Sequence, residues 1–154
     1  MRKMLLSFKA DVYARIISGE KIYEHRRVFP DEPIEAYLYV STPVQAVKGK
    51  LILGKRQNLV DWKEWYSDDY DAVKRIDKYL EKNRYAMEIL EFRETNSIEL
   101  STLRREVPGF IVPQMYYYLD GTELLSYLED QLQETGTIIK HDFSTVDSSM
   151  ICIH

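Results

Sequence analysis

The sequence has almost none of the residues that form cross-links or thiolate metal sites. Cys152 is the single cysteine among 154 residues, which excludes an intramolecular disulfide and a thiolate cluster. The three histidines, His25, His141 and His154, are scattered and show no ligand spacing. We therefore expect no metal site, no cofactor and a reducing compartment, the cytoplasm.

Long apolar runs are also absent. No stretch approaches the roughly 20 apolar residues that a membrane helix requires. The basic start of the chain, residues 1–7, has an apolar run too short for a signal peptide and no small-residue cleavage site after it. We expect a protein without membrane attachment.

Positive charge is not in excess. With 21 Lys and Arg against 25 Asp and Glu, the net charge is −4, which argues against the broad basic surface of a non-specific nucleic-acid coat. Cations are nevertheless concentrated in the first third, whereas acidic residues are concentrated at 68–71. This asymmetry is typical of a local binding face and equally of ordinary solvent-facing surfaces. The early cations are Lys21, Arg26, Arg27, Lys48, Lys50, Lys55 and Arg56.

The composition that remains is that of an ordinary globular domain. The chain is 45% hydrophobic and 30% charged, too apolar for a disordered chain, and its length suits one core. Glycines and prolines punctuate short periodic segments, whose order is that of a small mixed α+β barrel rather than a parallel α/β sheet.

The first half is predicted to be a strand meander after one helix. Asp11 is predicted to be the helix N-cap and Gly19 its C′ residue. Ile34–Val40 alternates as a half-buried strand, and Gly49 is a candidate bulge in the next strand. The predicted strands are 5–8, 22–29, 34–40 and 44–55.

The second half is predicted to begin with a helical insertion at 59–83, broken near Ser67. Ser101 and Thr122 are predicted helix caps, and Gly136 is predicted to end the last helix. Strands are predicted at 85–93 and 110–119, whereas the residues after Gly136 carry only weak strand signals.

Three segments resemble one known family. Gly19, Lys21, Glu24 and Arg26 match the pattern GxKxxExR of the ASCH family. Residues 85–89 resemble its barrel strand after the insertion, and 109–119 is similar to its GF-x-x-PQ-x-x-x-YL ending. The three segments occur in the family's order and span about residues 4–120.

The resemblance implies a PUA-like fold, a mixed β-barrel flanked by helices. Together with the helical insertion at 59–83 and the C-terminal helix that periodicity predicts, we expect one α+β domain over 1–135, and 136–154 is left as a tail of uncertain structure. It also implies a stand-alone cytoplasmic protein that binds RNA or a nucleotide-like ligand, in translation or transcription. His25 departs from the phenylalanine usual at its position, and a polar ring there favours a partly wet site.

The candidate binding site is a cleft beside the 19–27 segment. Arg26 and Glu24 share one strand face, and Lys21 enters from the preceding turn. Arg26 can bind phosphate or a base edge, Lys21 supplies a point charge, and Glu24 accepts from a base amino group. A purely structural Glu24–Arg26 ion pair is the competing interpretation. Further candidate ligand contacts are Arg27, Tyr39, Gln114 and Tyr118, whose tyrosines would stack on bases.

Two other functions are left open. Some family members are enzymes, either amidohydrolases on acetylated cytidine or ribonucleases, and a catalytic set here would be Lys21, Glu24 and Glu88. Glu24 stands where such an amidohydrolase would need a hydroxyl nucleophile, which favours a non-enzyme. A protein-interaction adaptor would use the insertion, in which Trp62 and Trp65 are expected to pack, and the helix carrying Leu124–Leu132.

Overall fold

Nine strands form a curled mixed sheet, with five α-helices and one short 3-10 helix around it, in a computed structural model that describes all 154 residues. The predicted mixed sheet flanked by helices is confirmed. The strands are β1 (Arg2–Phe8), β2 (Tyr23–Arg26), β3 (Ile34–Val40), β4 (Ala46–Leu53), β5 (Gln57–Asn58), β6 (Tyr85–Thr95), β7 (Ile98–Glu99), β8 (Tyr116–Tyr118) and β9 (Glu134–Lys140). The helices are α1 (Ala10–Ile17), α2 (Leu59–Trp65), α3 (Tyr70–Leu80), α4 (Leu100–Glu106), α5 (Glu123–Gln131) and the 3-10 turn Ser148–Met150.

The main path of the sheet is β2-β6-β4-β3-β1-β8. Only β1 and β3 run parallel, from Arg2 opposite Ile34 to Phe8 opposite Val40. Because parallel strands end at the same edge, the carboxyl ends of β1 and β3 lie side by side. The long strand β6 carries β4 and β5 on one edge and β2 and β9 on the other.

Strand β3 is buried on both faces, so the prediction of a half-buried strand is wrong although its bounds, 34–40, are confirmed. Leu38 packs in a first core cluster with α1, and Tyr37 and Tyr39 pack in a second cluster with Leu103 and Leu128. Helices α4 and α5 cover the face that alternation assigned to solvent.

Gly49 forms the predicted bulge. Its φ is +141°, and an added Cβ would lie 2.9 Å from the Phe92 ring. The β3–β4 register shifts there, since Tyr37 pairs with Lys50 but Tyr39 pairs with Val47. Glycine is required because it alone accepts both the backbone angle and the close ring.

The helical insertion is confirmed as α2 and α3, and the break predicted near Ser67 falls between them. Asn58 caps α2 through Val60 N, and Asp69 caps α3 through Ala72 N. Both are side-chain acceptors for amides that a helix start leaves unpaired. Trp62 and Ile76 anchor the pair in a third core cluster against Tyr23.

Of the predicted helix N-caps, two are wrong and one is confirmed. Helix α1 begins at Ala10 with Lys9 as N-cap, so Asp11 lies in its first turn. Ser101 lies inside α4, whose N-cap is Glu99. Thr122 caps α5 through the amide of Leu125. Neither Lys9 nor Glu99 makes a side-chain cap hydrogen bond, so α1 and α4 begin without the polar cap that the sequence pattern predicts.

Several element bounds also differ from prediction. Strand 22–29 is shortened to β2, and strand 110–119 to the three residues of β8. Helix α5 ends at Gln131 and not at Gly136, because Leu132 is already extended (φ −77°, ψ 130°) and the chain continues into β9.

The residues after the predicted boundary at 135/136 join the same fold. The boundary falls inside β9, which pairs antiparallel with β6, Phe92 opposite Ile139. Farther on, Ile151 and Cys152 are buried in the third cluster. None of the helices has the length and hydropathy needed to cross a membrane.

Candidate functional site

A polar cleft of about 660 Å³ opens where the parallel strands β1 and β3 end. Strand β2 forms one wall and the start of α1 another. The Ser7 amide donates to the Met115 carbonyl at 3.1 Å, which brings the neighbouring Gln114 to the opening. The lining residues are Ser7, Phe8, Lys9, Val12, Glu24, His25, Arg26, Ser41, Asn83 and Gln114.

Glu24 and Arg26 lie on the same face of β2, as predicted from their spacing. Glu24 is 5% exposed, and its Oε2 lies 3.3 Å from Arg26 Nη2. Its Oε1 accepts from the His25 amide at 2.9 Å. A carboxylate so enclosed is stabilised by these donors, which compensate for its lost hydration.

Arg26 is held by one nitrogen and leaves others free. Nη2 donates to the Ser7 carbonyl at 2.9 Å as well as to Glu24, and the guanidinium lies 5.3 Å from the centre of the Phe8 ring. Nε and Nη1 donate to no protein acceptor. Arg26 therefore presents unused donors at the cleft with its orientation already determined.

Lys21 lies behind Glu24 and does not line the cleft. It is 5% exposed, and its Nζ is 3.8 Å from Glu24 Oε1. Burial lowers the pKa of Lys21, Glu24 opposes this effect, and Arg26 adds to it. The structure thus brings together Lys21, Glu24 and Arg26 but places only the last two at the cleft, so direct ligand contact by Lys21 does not fit this geometry.

The C-terminal segment encloses Lys21. Lys21 Nζ donates to the main-chain oxygen of His154 at 3.1 Å, and His154 Nε2 lies 3.2 Å from Glu20 Oε1. Arg75 holds the segment by donating to the carbonyls of Ile151 and Ser148. This cover comes from a part of the chain more than a hundred residues away in sequence.

His25 faces the opposite side of β2 from Glu24. Its ring centre is 4.7 Å from that of Tyr79, and its Nε2 is buried without a hydrogen-bond partner. Burial, with a smaller contribution from the Lys21 charge, lowers the pKa of His25 to about 3. The prediction of a partly wet site is therefore wrong for this nitrogen, since the His25 ring packs against the aromatic cluster.

Of the other predicted ligand residues, one lines the cleft and three do not. Gln114 lines the cleft, and Arg27 is exposed just beyond β2 without a carboxylate within ion-pair distance. Tyr39 is buried in the second cluster. Tyr118 lies under the Arg2 guanidinium, 3.4 Å from its ring centre.

Neither tyrosine reaches the cleft. Tyr39 points into the second cluster, and Tyr118 pairs with Met4, four residues before the cleft residue Phe8 on β1. Both assignments are corrected.

Glu88 does not join Lys21 and Glu24. It pairs with Tyr23 across β2 and β6, one position from the Glu24–Met87 pair, so its side chain points to the opposite face. Burial raises the pKa of Glu88 there, and a hydrogen bond with Gln57 opposes the shift. The three residues of the predicted catalytic set are not assembled.

The apolar face expected of an adaptor helix is covered. Leu124 and Leu128 of α5 are buried in the second core cluster, and Leu125 and Leu132 pack against it. On α5, the apolar surface that this alternative needs is occupied by the protein's own core.

Sequence reasoning missed several lining residues. Lys9, Ser7 and Ser41 follow or end the two parallel strands, and Asn83 precedes β6. The signal that could have found them is polar residues at strand carboxyl ends, but it is readable only once β1 and β3 are known to be parallel.

Similar folds occur in crystal structures of ASCH from Zymomonas mobilis. One, of the ASCH protein, is 21% identical with a TM-score of 0.61, covering 86% of this chain and 96% of that one. A tyrosine-to-phenylalanine mutant is 20% identical with a TM-score of 0.62, covering 86% and 100%. This chain has the ASCH fold. A serine-to-alanine mutant agrees, at 21% identity and a TM-score of 0.59 over 83% and 95%.

The α+β architecture expected for ASCH proteins is thereby confirmed, with a curled mixed half-barrel and five helices. No family model and no curated protein matches the chain. At this level of identity the likeness establishes the fold, and function is argued from the cleft.

Proposed function

We propose that this chain is an RNA-binding protein that holds a nucleotide of single-stranded RNA in the cleft beside Arg26. The observation that carries the proposal is the pair of unused donors, Nε and Nη1, on a guanidinium whose third nitrogen is anchored to Ser7 and Glu24. Arginine with its orientation predetermined favours planar recognition of phosphate or a base edge.

The size and lining of the cleft support this ligand class. About 660 Å³ is within the usual range for small-molecule sites. Only Phe8 and Val12 are apolar among the ten lining residues, so a nucleotide suits the cleft better than an apolar ligand. Unpaired nucleotides expose polar edges that such side chains can bind.

Each polar residue has a role in this proposal. Lys9 is exposed and has no carboxylate within ion-pair distance, so it contributes charge for a phosphate. Gln114 and Asn83 carry amides that can donate to and accept from base edges. Glu24 orients Arg26, and Lys21 is a positioning residue that holds Glu24 from behind.

A cellular role in translation or transcription is the finer part of this proposal, and it depends on the resemblance of residues 19–27 to the ASCH pattern. No specific contact favours the hydrolase, because Glu88 lies on the other face of the β2–β6 ladder.

Substitution of Arg26 tests the proposal. We expect Arg26→Ala to weaken binding of a labelled single-stranded RNA by about tenfold or more, since hydrogen bonds to charged groups contribute about 1.5–3 kcal/mol each. The RNA affinity of Arg26→Lys should lie between those of Arg26→Ala and the unmodified protein, because lysine keeps the charge and loses the planar fork of donors. Fluorescence anisotropy gives the affinity, and thermal unfolding shows whether each variant is folded.

The matched control is Arg105→Ala. Arg105 is an exposed arginine on α4 with one neighbouring carboxylate, Glu106, and does not line the cleft. Equal affinity of folded Arg26→Ala and the unmodified protein would reject the proposal, as would equal losses from Arg26→Ala and Arg105→Ala.

A further inference from the structure

A second hollow, of about 410 Å³, lies where β5 meets α2. It contains two cations, Lys55 and Arg56, and two aromatic side chains, Trp65 and Tyr85. None of its residues lines the cleft or is a buried member of the three core clusters, although Tyr85 packs against the first. The remaining lining residues are Asp31, Gln57, Asn58 and Asp61.

Trp65 is the unusual member of this hollow. The two tryptophans of the chain are both on α2, but Trp62 is 2% exposed and Trp65 is 64% exposed. Trp62 packs against Tyr23 and donates through its indole to Gln57. The Trp65 side chain has no aromatic partner and no hydrogen bond in the protein. Its indole ring is therefore available for stacking, with cations nearby.

The charges of the hollow favour a base over a phosphate. Asp31 lies 3.8 Å from both Lys55 Nζ and Arg56 Nε, and Asp61 adds a second negative charge. Arg56 is further held by the Phe29 carbonyl at 2.6 Å and lies over the Tyr85 ring at 4.2 Å. The positive charges of Lys55 and Arg56 are thus balanced by the neighbouring aspartates. The surfaces left for a ligand are aromatic.

Tyr85 connects this hollow to the cleft. It pairs with Arg26 across β2 and with Asn58 across β5, so Arg26 and Asn58 are separated by two strand spacings, roughly 10 Å. Paired residues point to the same face, which puts Tyr85 and Arg26 side by side.

Arg84 supplies charge on this connecting path. Its amide donates to the Arg26 carbonyl at 3.1 Å, and its guanidinium lies 5.9 Å from the Tyr85 ring centre. It is exposed and has no carboxylate within ion-pair distance. A phosphate between the two hollows would therefore meet an unpaired cation.

We propose that the hollow at Trp65 is a second nucleotide subsite, in which a base stacks on Trp65 while the same single-stranded RNA continues past Arg84 to the cleft. This inference depends on the proposed function, since it extends the RNA held at Arg26. Aromatic platforms next to cationic paths are the general means of binding single strands with little sequence preference.

The test uses the full chain, an oligouridine of about eight nucleotides, and a uridine dinucleotide. We expect Trp65→Ala to weaken binding of the longer RNA about tenfold, the typical loss for one stacked base, and to leave the dinucleotide affinity unchanged. Trp65→Phe should retain most of the affinity. The longer RNA should quench tryptophan fluorescence in the unmodified protein and not in Trp65→Ala, in which only the buried Trp62 remains.

Tyr70→Ala is the matched control, because Tyr70 is an aromatic residue of the same insertion, 78% exposed and outside the hollow. If the longer RNA binds with Arg26 dependence but equally to Trp65→Ala, the second subsite is rejected and the proposed function stands. If the longer RNA binds to no form of the protein, both are rejected. Equal affinity for fully paired RNA would also reject the subsite, because paired bases cannot stack on Trp65.

Discussion

The two faces of β2 differ in nearly every physical respect, although they belong to one four-residue strand. Glu24 and Arg26 face a polar cleft, paired with each other at 3.3 Å and partly in contact with solvent. The rings of Tyr23 and His25 pack on an aromatic cluster, with the Tyr23 ring 5.0 Å from Trp62 and the His25 ring 4.7 Å from Tyr79. Alternate residues of this segment therefore line the cleft or pack against the aromatic cluster.

This division changes how the segment is interpreted. A match to GxKxxExR draws attention to its charged positions, but the residues between them carry the packing that keeps the strand in place. Substitutions on the face of Tyr23 and His25 should lower the free energy of unfolding. Substitutions on the polar face should lower the affinity for RNA.

The largest effect should come from Tyr23→Ala. Tyr23 is buried between Trp62 and Phe143, at ring-centre distances of 5.0 and 5.2 Å, and removing a buried aromatic ring costs about 3–5 kcal/mol. Urea unfolding measures the free energy, and Tyr70→Ala, an exposed tyrosine, should change it little. A loss from Tyr23→Ala no greater than from Tyr70→Ala would contradict the assignment of this face to the core.

His25 should make stability depend on pH. Its folded pKa of about 3 is below the ordinary histidine value of 6.5, so the unfolded chain takes up a proton first as pH falls. The contribution is complete above about pH 6.5 and is lost as pH decreases, at up to about 1.4 kcal/mol per pH unit. His25→Phe should flatten the slope between about pH 6.5 and 5.

The measurement is the free energy of unfolding in urea at each pH for both proteins. His141, whose pKa is also lowered by burial, is present in both, so the difference between the two slopes isolates His25. Identical slopes would show that the His25 ring is hydrated in solution.

The smallest effect should come from Lys9→Ala on the polar face. Lys9 is exposed and has no ion-pair partner, so its loss should leave stability nearly unchanged. Affinity for single-stranded RNA should fall a few-fold, and the slope of log affinity against log salt should decrease by about 0.7 for one lost phosphate contact. An unchanged slope would remove Lys9 from the RNA path.

The parts of the fold predicted correctly are those encoded locally. Ile34–Val40, the Gly49 bulge, the Thr122 cap and the shared face of Glu24 and Arg26 each follow from neighbouring residues. Residues 134–140 form a strand because β6 offers a free edge, and their own signal is weak.

The misplaced site residues have the same explanation. Lys21 was expected in the cleft, but the main chain of His154 covers it. Tyr39 was expected to reach ligand, but α4 and α5 enclose it. Trp65 was interpreted as a packing residue because helical spacing cannot distinguish the face of α2 that the sheet leaves open. Long-range packing decides all three positions.

The single thiol of the protein lies in the segment that covers Lys21. Cys152 is buried beside Tyr23 and Trp62, and burial raises the pKa of its thiol to about 12. A thiolate-selective reagent can therefore react at neutral pH only when the segment detaches from the aromatic cluster. The rate at which Cys152 is labelled in the native protein therefore reports how often this segment opens, and the measurement requires no engineered probe.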